Sequence, residues 1–157
     1  MDAKYLTSQE GMEEVLKLYC SDWVEDQAGR VNELCRPQFV ACSFEKKTLT
    51  LSFFVQDWMR NSSGVMHGGI VSTVFDLTMG LLSRYCSGGH LTPTTNIQIT
   101  YLRPIPAGST LVIKAYCNAS GKTLCSISAK AWLEGRPDKL VATGAGTFFT
   151  GGPRKTD

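Results

Sequence analysis

The stretch from Gly64 to Tyr85 constrains this chain more than any other segment. Ile70, Val71, Val74, Phe75, Met79, Leu81 and Leu82 cover most of the circumference of a helix, which predicts a rod sunk in the centre of a domain. The helix is predicted over 68–86, opening on His67-Gly68-Gly69 and stopping at Ser87-Gly88-Gly89, a glycine-type helix end. Asp76 is its only carboxylate. A carboxylate among apolar side chains is costly unless something pairs with it or uses it. That conflict points to function.

The flanks say what surrounds the rod. Thr7-Ser-Gln-Glu10 has capping-box spacing, and Met12, Val15, Leu16, Tyr19 and Trp23 continue it as one face of an amphipathic helix. Residues 24–36 read as a loop. From Phe39 the period is two: Phe39, Ala41 and Ser43 alternate with Val40, Cys42 and Phe44. Glu45-Lys-Lys47 then makes a polar turn, and Leu49, Leu51, Phe53 and Val55 share one face, completing a hairpin. After the central helix, strands are predicted over 94–102, Leu111 to Cys117, Cys125 to Leu133 and Leu140 to Phe149. Arg103-Pro-Ile-Pro-Ala-Gly108, Asn118-Ala-Ser-Gly121 and Gly135-Arg-Pro-Asp138 break them. The fold class is α+β: an antiparallel sheet wrapped around the long central helix. At 157 residues one domain is expected, occupying 37–150, with a helix and loop appended over 1–36 and a loose tail over 151–157.

Composition excludes several classes of function. A net charge of +2 with no basic stripe argues against a nucleic-acid partner. None of the six cysteines forms a Cys-x-x-Cys pair, so neither zinc nor thioredoxin-type chemistry is expected, and no metal site is assigned. The start Met-Asp-Ala-Lys-Tyr carries no hydrophobic leader. The cysteines are therefore expected to be free thiols in an intracellular compartment, the cytoplasm, with the mitochondrion left open. No apolar run reaches the length of a membrane span.

On a helical wheel Gly69, Ser72, Thr73, Asp76, Gly80 and Ser83 fall in one narrow stripe of small and polar residues. Such a strip has room for another chain, a ligand, or both. Asp76 then either hydrogen-bonds neighbouring hydroxyls or serves as a base or water-orienting group. At the start of the helix the first N–H groups have no internal acceptors, and the helix dipole favours negative charge there. The Gly68 or Gly69 N–H would serve a carbonyl oxygen becoming an oxyanion. Eight residues separate Gly68 from Asp76, about 12 Å along a helix, so one carbonyl cannot touch both within a chain. Either the two serve separate purposes, or Gly68 of one subunit meets Asp76 of another; the small-residue stripe favours the composite site.

Several motifs now stand at a joint spacing: Asn61 six residues before His67, the His67-Gly68-Gly69 triplet, and Asp76 nine after His67. Ile99-Thr-Tyr101-Leu-Arg-Pro104 and Gly121-Lys-Thr123 follow. Over roughly 37–150 the chain resembles the hotdog-fold acyl-CoA thioesterases of the PaaI and thioesterase superfamily member 13 type. The resemblance implies a hotdog fold whose subunits join sheets edge to edge as dimers, which pair into tetramers. It implies hydrolysis of an acyl-CoA to free acid and coenzyme A in lipid metabolism, with coenzyme A as part of the substrate and no separate cofactor. Gly68 N–H would polarise the thioester carbonyl, and Asn61 would help hold the thioester and the attacking water. Asp76 of the facing subunit would be general base or nucleophile. Thr94, with Thr95 a close rival, would orient the water, and His67 would hold the loop or contact the thioester region. Coenzyme A would lie against Gly69, Asn96, Tyr101, Leu102, Arg103, Pro104, Ser120, Gly121, Lys122, Thr123 and Leu124, with Arg103 and Lys122 near phosphates.

Other readings compete. Ser120-Gly-Lys-Thr123 also reads as a solvated hairpin turn, and it lacks the first glycine of a phosphate-binding P-loop. Met59, Val65, Met66, Phe75 and Met79 line an acyl tunnel or belong to the core. A non-catalytic acyl-CoA or lipid-binding module on the same scaffold is the alternative function. Hydration of an enoyl thioester would want an Asp and a His close together, and no second His lies on the helix.

Overall fold

The computed structural model describes residues 3–25 and 29–151. The elements are α1 (Gln9–Glu25), α2 (Val31–Cys35), β1 (Gln38–Ser43), β2 (Thr48–Phe54), α3 (Gly68–Cys86), β3 (Thr94–Tyr101), β4 (Thr110–Ser120), β5 (Leu124–Leu133) and β6 (Leu140–Phe149). The side chain of Trp23 and the tail over 152–157 lie outside the described residues.

All six strands pair antiparallel in the order β1-β2-β4-β5-β6-β3. The alternation that marked β2 is the reason it sits inside. Leu49, Leu51, Phe53 and Val55 are each 0% exposed, on the face that meets α3. Strands β4 and β5 add Leu111, Ile113, Ala115, Cys125, Ile127 and Ala131 to that face. Above them α3 contributes Val74, Phe75, Met79 and Leu82, all fully buried. Phe75 lies so close to the sheet that β6 has no room for a side chain beneath it. A Cβ on Gly144 would stand 2.7 Å from both Phe75 Cδ1 and Ile99 Cδ1. α1 closes one end of the barrel-like core with Met12, Val15, Leu16 and Tyr19. Gln9 ties it to β1, donating to the Cys42 carbonyl and accepting from the Phe44 N–H at 2.8 Å.

Two segments differ from the sequence expectation. Residues 24–36 are not all loop: Val31–Cys35 forms a short helix, ended by Arg36 in the left-handed region at φ 47° and pinned by the fully buried Cys35. Five residues are too few to show a periodic signature. Strand β4 also continues past Cys117 to Ser120, because a bulge between Cys117 and Ala119 carries the ladder through the expected turn.

The rod itself is less enclosed than its sequence predicts. The sheet covers one side of α3 and leaves the first turns of the stripe of small residues partly open, while Gly80 and Ser83 turn back towards it. Gly69 is exposed, while Ser72, Thr73, Asp76 and Gly80 are half-buried; only Ser83, in the last turn, is fully enclosed. Asp76 is therefore not sunk among apolar side chains within one chain.

Candidate active site

His67 builds the helix start. Its backbone is extended (φ −63°, ψ 135°), and its Nδ1 accepts the Gly69 N–H at 3.0 Å, an N-cap. Its carbonyl accepts from the N–H groups of Ile70 and Val71. That leaves the Gly68 N–H without an acceptor among the described residues. The two amides that looked equivalent in sequence are thus chemically different: one is used by the chain and one is open.

Asn61 shapes the approach to this amide. Its Oδ1 accepts from the N–H of Ser63 at 2.9 Å and of Val65 at 3.4 Å, closing a turn. The bridge between Arg60 and Met66 and the bond from His67 N–H to the Met59 carbonyl seat that turn beside the helix start. Across the opening stands Tyr101, whose hydroxyl donates to the Gly68 carbonyl at 3.0 Å and lies 2.7 Å from Ser72 Oγ. Val65, Met66, Gly68, Tyr101, Arg103 and Pro104 line a groove of about 380 Å³ here.

Asp76 has separate surroundings. Thr94 Oγ1 donates to its Oδ1 at 2.7 Å, whereas Thr95 Oγ1 is turned to Thr147, 3.0 Å from its carbonyl. A second cavity of about 190 Å³ opens beside the carboxylate, walled by Leu77, Gly80, Leu91 and Thr94, with Asn32 of α2 reaching its rim. Arg84 also lines it but is held elsewhere: its Nε donates to the Gly89 carbonyl and its guanidinium stacks 4.2 Å from the Tyr19 ring centre. No lining residue is shared between this cavity and the groove at Gly68. Within one chain, amide and acid belong to different openings.

The residues expected around coenzyme A also divide. Tyr101 to Pro104 lie at the Gly68 end of α3, where the N–H groups of Leu102 and Arg103 both donate to the Val141 carbonyl. Ser120 to Leu124 lie at the other end. There Ser120 Oγ donates to the Cys86 carbonyl, and Thr150 bonds to Thr123 and Gly121. Asn96 is exposed on the edge strand β3 between them. Of the residues weighed for an acyl tunnel, Met59, Phe75 and Met79 are core, and Val65 and Met66 reach the groove.

Ser72 joins the groove through Tyr101, and Gly80, Asn32 and Leu91 line the cavity beside Asp76, beyond the site residues that the sequence marks. Ser72 and Gly80 shared the stripe with Asp76, which was their signal. Asn32 and Leu91 come from segments with no pattern of their own. The six cysteines are free, no cluster of three or more ligating side chains is present among the described residues, and no described helix is long and apolar enough to cross a membrane.

The Thioesterase superfamily family model matches residues 63–139. Acyl-coenzyme A thioesterase 13 of Homo sapiens is 32% identical over 99 residues, covering 62% of this chain and 69% of that protein. The chain spans 27% of the length of another relative, acyl-coenzyme A thioesterase THEM4 of Bos taurus. The crystal structure of thioesterase superfamily member 2 from Mus musculus superposes with a TM-score of 0.74 at 25% identity, over 89% of this chain and 98% of that one. The structure of smu.793 from Streptococcus mutans UA159 bound to acetyl CoA does so with a TM-score of 0.66 at 28% identity, over 76% and 91%. The sheet wrapped on one long helix is the hotdog fold. The chain belongs to the thioesterase superfamily.

Proposed function

We propose that this protein is an acyl-CoA thioesterase whose reaction centre joins two copies of the chain. One observation carries the reading: the open stripe of α3 bears an unpaired Gly68 N–H at one end and, two turns on, an Asp76 carboxylate oriented by Thr94. The relatives support the substrate class, since acyl-coenzyme A thioesterase 13 is named for it and smu.793 was solved with acetyl CoA.

The chemistry follows from the parts. A thioester carbonyl oxygen accepts the Gly68 N–H, where the helix dipole favours the charge that develops. Thr94 occupies Oδ1 of Asp76, so Oδ2 is left to take a proton from water. The water oxygen bonds to the carbonyl carbon, the C–S bond breaks, and the coenzyme A thiolate leaves with the proton that Asp76 holds. Asp76 acting as nucleophile through an anhydride is the other route, and labelled water distinguishes the two. The Asn61 side-chain amide nitrogen has no acceptor among the described residues and would serve the thioester or the water.

Two copies related by a two-fold axis beside Ser72 bring Gly68 of each to Asp76 of the other, because both are four residues from Ser72. Gly69, Ser72 and Thr73 are small enough for the helices to approach. β3 is an edge of the sheet and can pair with its own copy. The same rotation carries Ser120 to Leu124 of one copy towards Tyr101 to Pro104 of the other. Pairing of such homodimers into a homotetramer belongs to the same proposal.

The test is complementation between two inactive variants. Gly68→Pro deletes the amide at the first helical position, where proline is tolerated and the extended His67 suits a following proline. Asp76→Asn deletes the base. Each alone is expected to slow acyl-CoA hydrolysis on the order of a hundredfold or more. Co-refolded in equal amounts, they recover about a quarter of wild-type activity, since half of the symmetric dimers are hybrids with one intact site in two. No recovery from the mixture sinks the shared centre, and full activity of Asp76→Asn sinks the role of the carboxylate. Binding of acyl-CoA without turnover by the wild type would make the protein a binding module instead.

A further inference from the structure

Arg103 and Pro104 line two adjoining cavities. One is the groove that reaches Gly68; the other, of about 300 Å³, is rimmed by Arg103, Arg136 and Lys139 over an apolar floor that includes Leu133 and Val141. Arg136 and Lys139 belong to the turn between β5 and β6, which in sequence reads only as a chain reversal. Its backbone is tied by Arg136 N–H to the Leu133 carbonyl at 2.9 Å and Lys139 N–H to the Arg136 carbonyl at 3.0 Å. The Arg103 guanidinium donates to the Leu140 carbonyl, so cations from two distant segments share one rim. The ion pairs among the described residues are Lys17–Glu13 and Arg60–Asp57, which leaves none of these three with a carboxylate partner. Glu134 and Asp138 belong to the same turn, Asp138 between Arg136 and Lys139, but neither lines the cavity. Three like charges around an apolar floor repel one another and draw an anion that has a flat apolar body.

We propose that this basin takes the phosphorylated adenosine end of coenzyme A, with its phosphates on Arg103, Arg136 and Lys139 and its purine over Leu133 and Val141. The inference rests on the acyl-CoA reading above and adds Arg136 and Lys139, which no part of that reading uses. The shared wall gives the substrate its direction: thioester at Gly68, pantetheine arm past Tyr101 and Pro104, nucleotide beyond.

The experiment compares kcat/KM for an acyl-CoA with that for the acyl-pantetheine bearing the same acyl group. In Arg136→Glu/Lys139→Glu the ratio of the two is expected to fall roughly tenfold or more through KM, the scale of one lost charge-assisted contact. The dependence of the acyl-CoA KM on salt should flatten with it. Arg136→Gln/Lys139→Gln gives the same direction should charge reversal disturb the turn, and Arg136→Lys/Lys139→Arg keeps the ratio. An unchanged ratio in both disruptive variants overturns the proposal. If the wild type hydrolyses neither substrate, the acyl-CoA reading fails by itself, and calorimetric titration with 3′-phosphoadenosine 5′-phosphate reads the basin alone. Binding lost in the double variants then supports it, and no binding by the wild type overturns it.

Discussion

Thr94 Oγ1 donates to Asp76 Oδ1 across 2.7 Å, joining the first residue of β3 to the middle of α3. The bond fixes one carboxylate oxygen, and the other has no hydrogen-bond partner among the described residues. Thr94→Val is therefore expected to lower kcat roughly ten- to a hundredfold, the worth of a hydrogen bond to a charged group. Thr94→Ser should stay within a few-fold of wild type. Steady-state kinetics on one acyl-CoA, beside circular dichroism to verify folding, decides it. Equal kcat for the Val and Ser variants would remove Thr94 from the machinery.

His67 caps α3 through Nδ1, so its removal should show first in stability. His67→Ala is expected to cost about 1 kcal/mol, or a few degrees in Tm. His67→Asn, whose side chain also caps, recovers much of the loss. Thermal melts of the three proteins suffice; an Ala variant as stable as wild type contradicts the capping role.

Gly80 tests where the acyl chain lies. A Cβ there meets only Phe148 Cε1 at 3.6 Å, an ordinary contact, so Gly80→Ala should fold and gain roughly 0.5–1 kcal/mol of helix stability. Gly80→Leu projects into the cavity of about 190 Å³ beside Asp76 and should shift the preferred acyl-CoA towards shorter chains. A hydrolysis panel of graded chain lengths reads the shift. An unchanged profile places the acyl group elsewhere.

Gly144 has the opposite character. Its missing side chain makes room for Phe75, and a Cβ 2.7 Å from that ring forces helix and sheet apart. Gly144→Ala is expected to destabilise the fold by about 1–3 kcal/mol, as overpacking does. Urea unfolding of the variant measures it directly.

Alkaline pH should unfold the protein in a defined window. Burial pushes the Cys20 thiol from 9.0 up to about 11. Burial, assisted by Cys86 and Cys42, pushes Tyr85 from 10.0 up to about 12. Both are raised, so the unfolded chain releases these protons first. The associated stability is whole below pH 9 and is lost progressively as pH rises through 11 and 12. Tm measured against pH should fall across that range, and less steeply in Tyr85→Phe. A flat profile to pH 11 would contradict the burial of Cys20.

Local order was legible in the residues. The central helix begins at Gly68 and ends at Cys86, as its glycine boundaries and apolar period implied, and Leu49, Leu51 and Phe53 face inward as alternation required. Helix and strand repeat a short hydrogen-bonding geometry along the chain, so their periods are written in neighbouring residues. The surroundings of Asp76 were not legible, because a wheel groups side chains on a face without saying which face the sheet covers. Nor was the difference between Gly68 and Gly69, which depends on one imidazole folding back over the helix start. The basin at Arg103, Arg136 and Lys139 was hidden for a related reason. It exists because β3 ends beside the start of β6, with Tyr101 opposite Ala142, and strand register is settled by packing across the sheet rather than by anything near Arg103 in the chain.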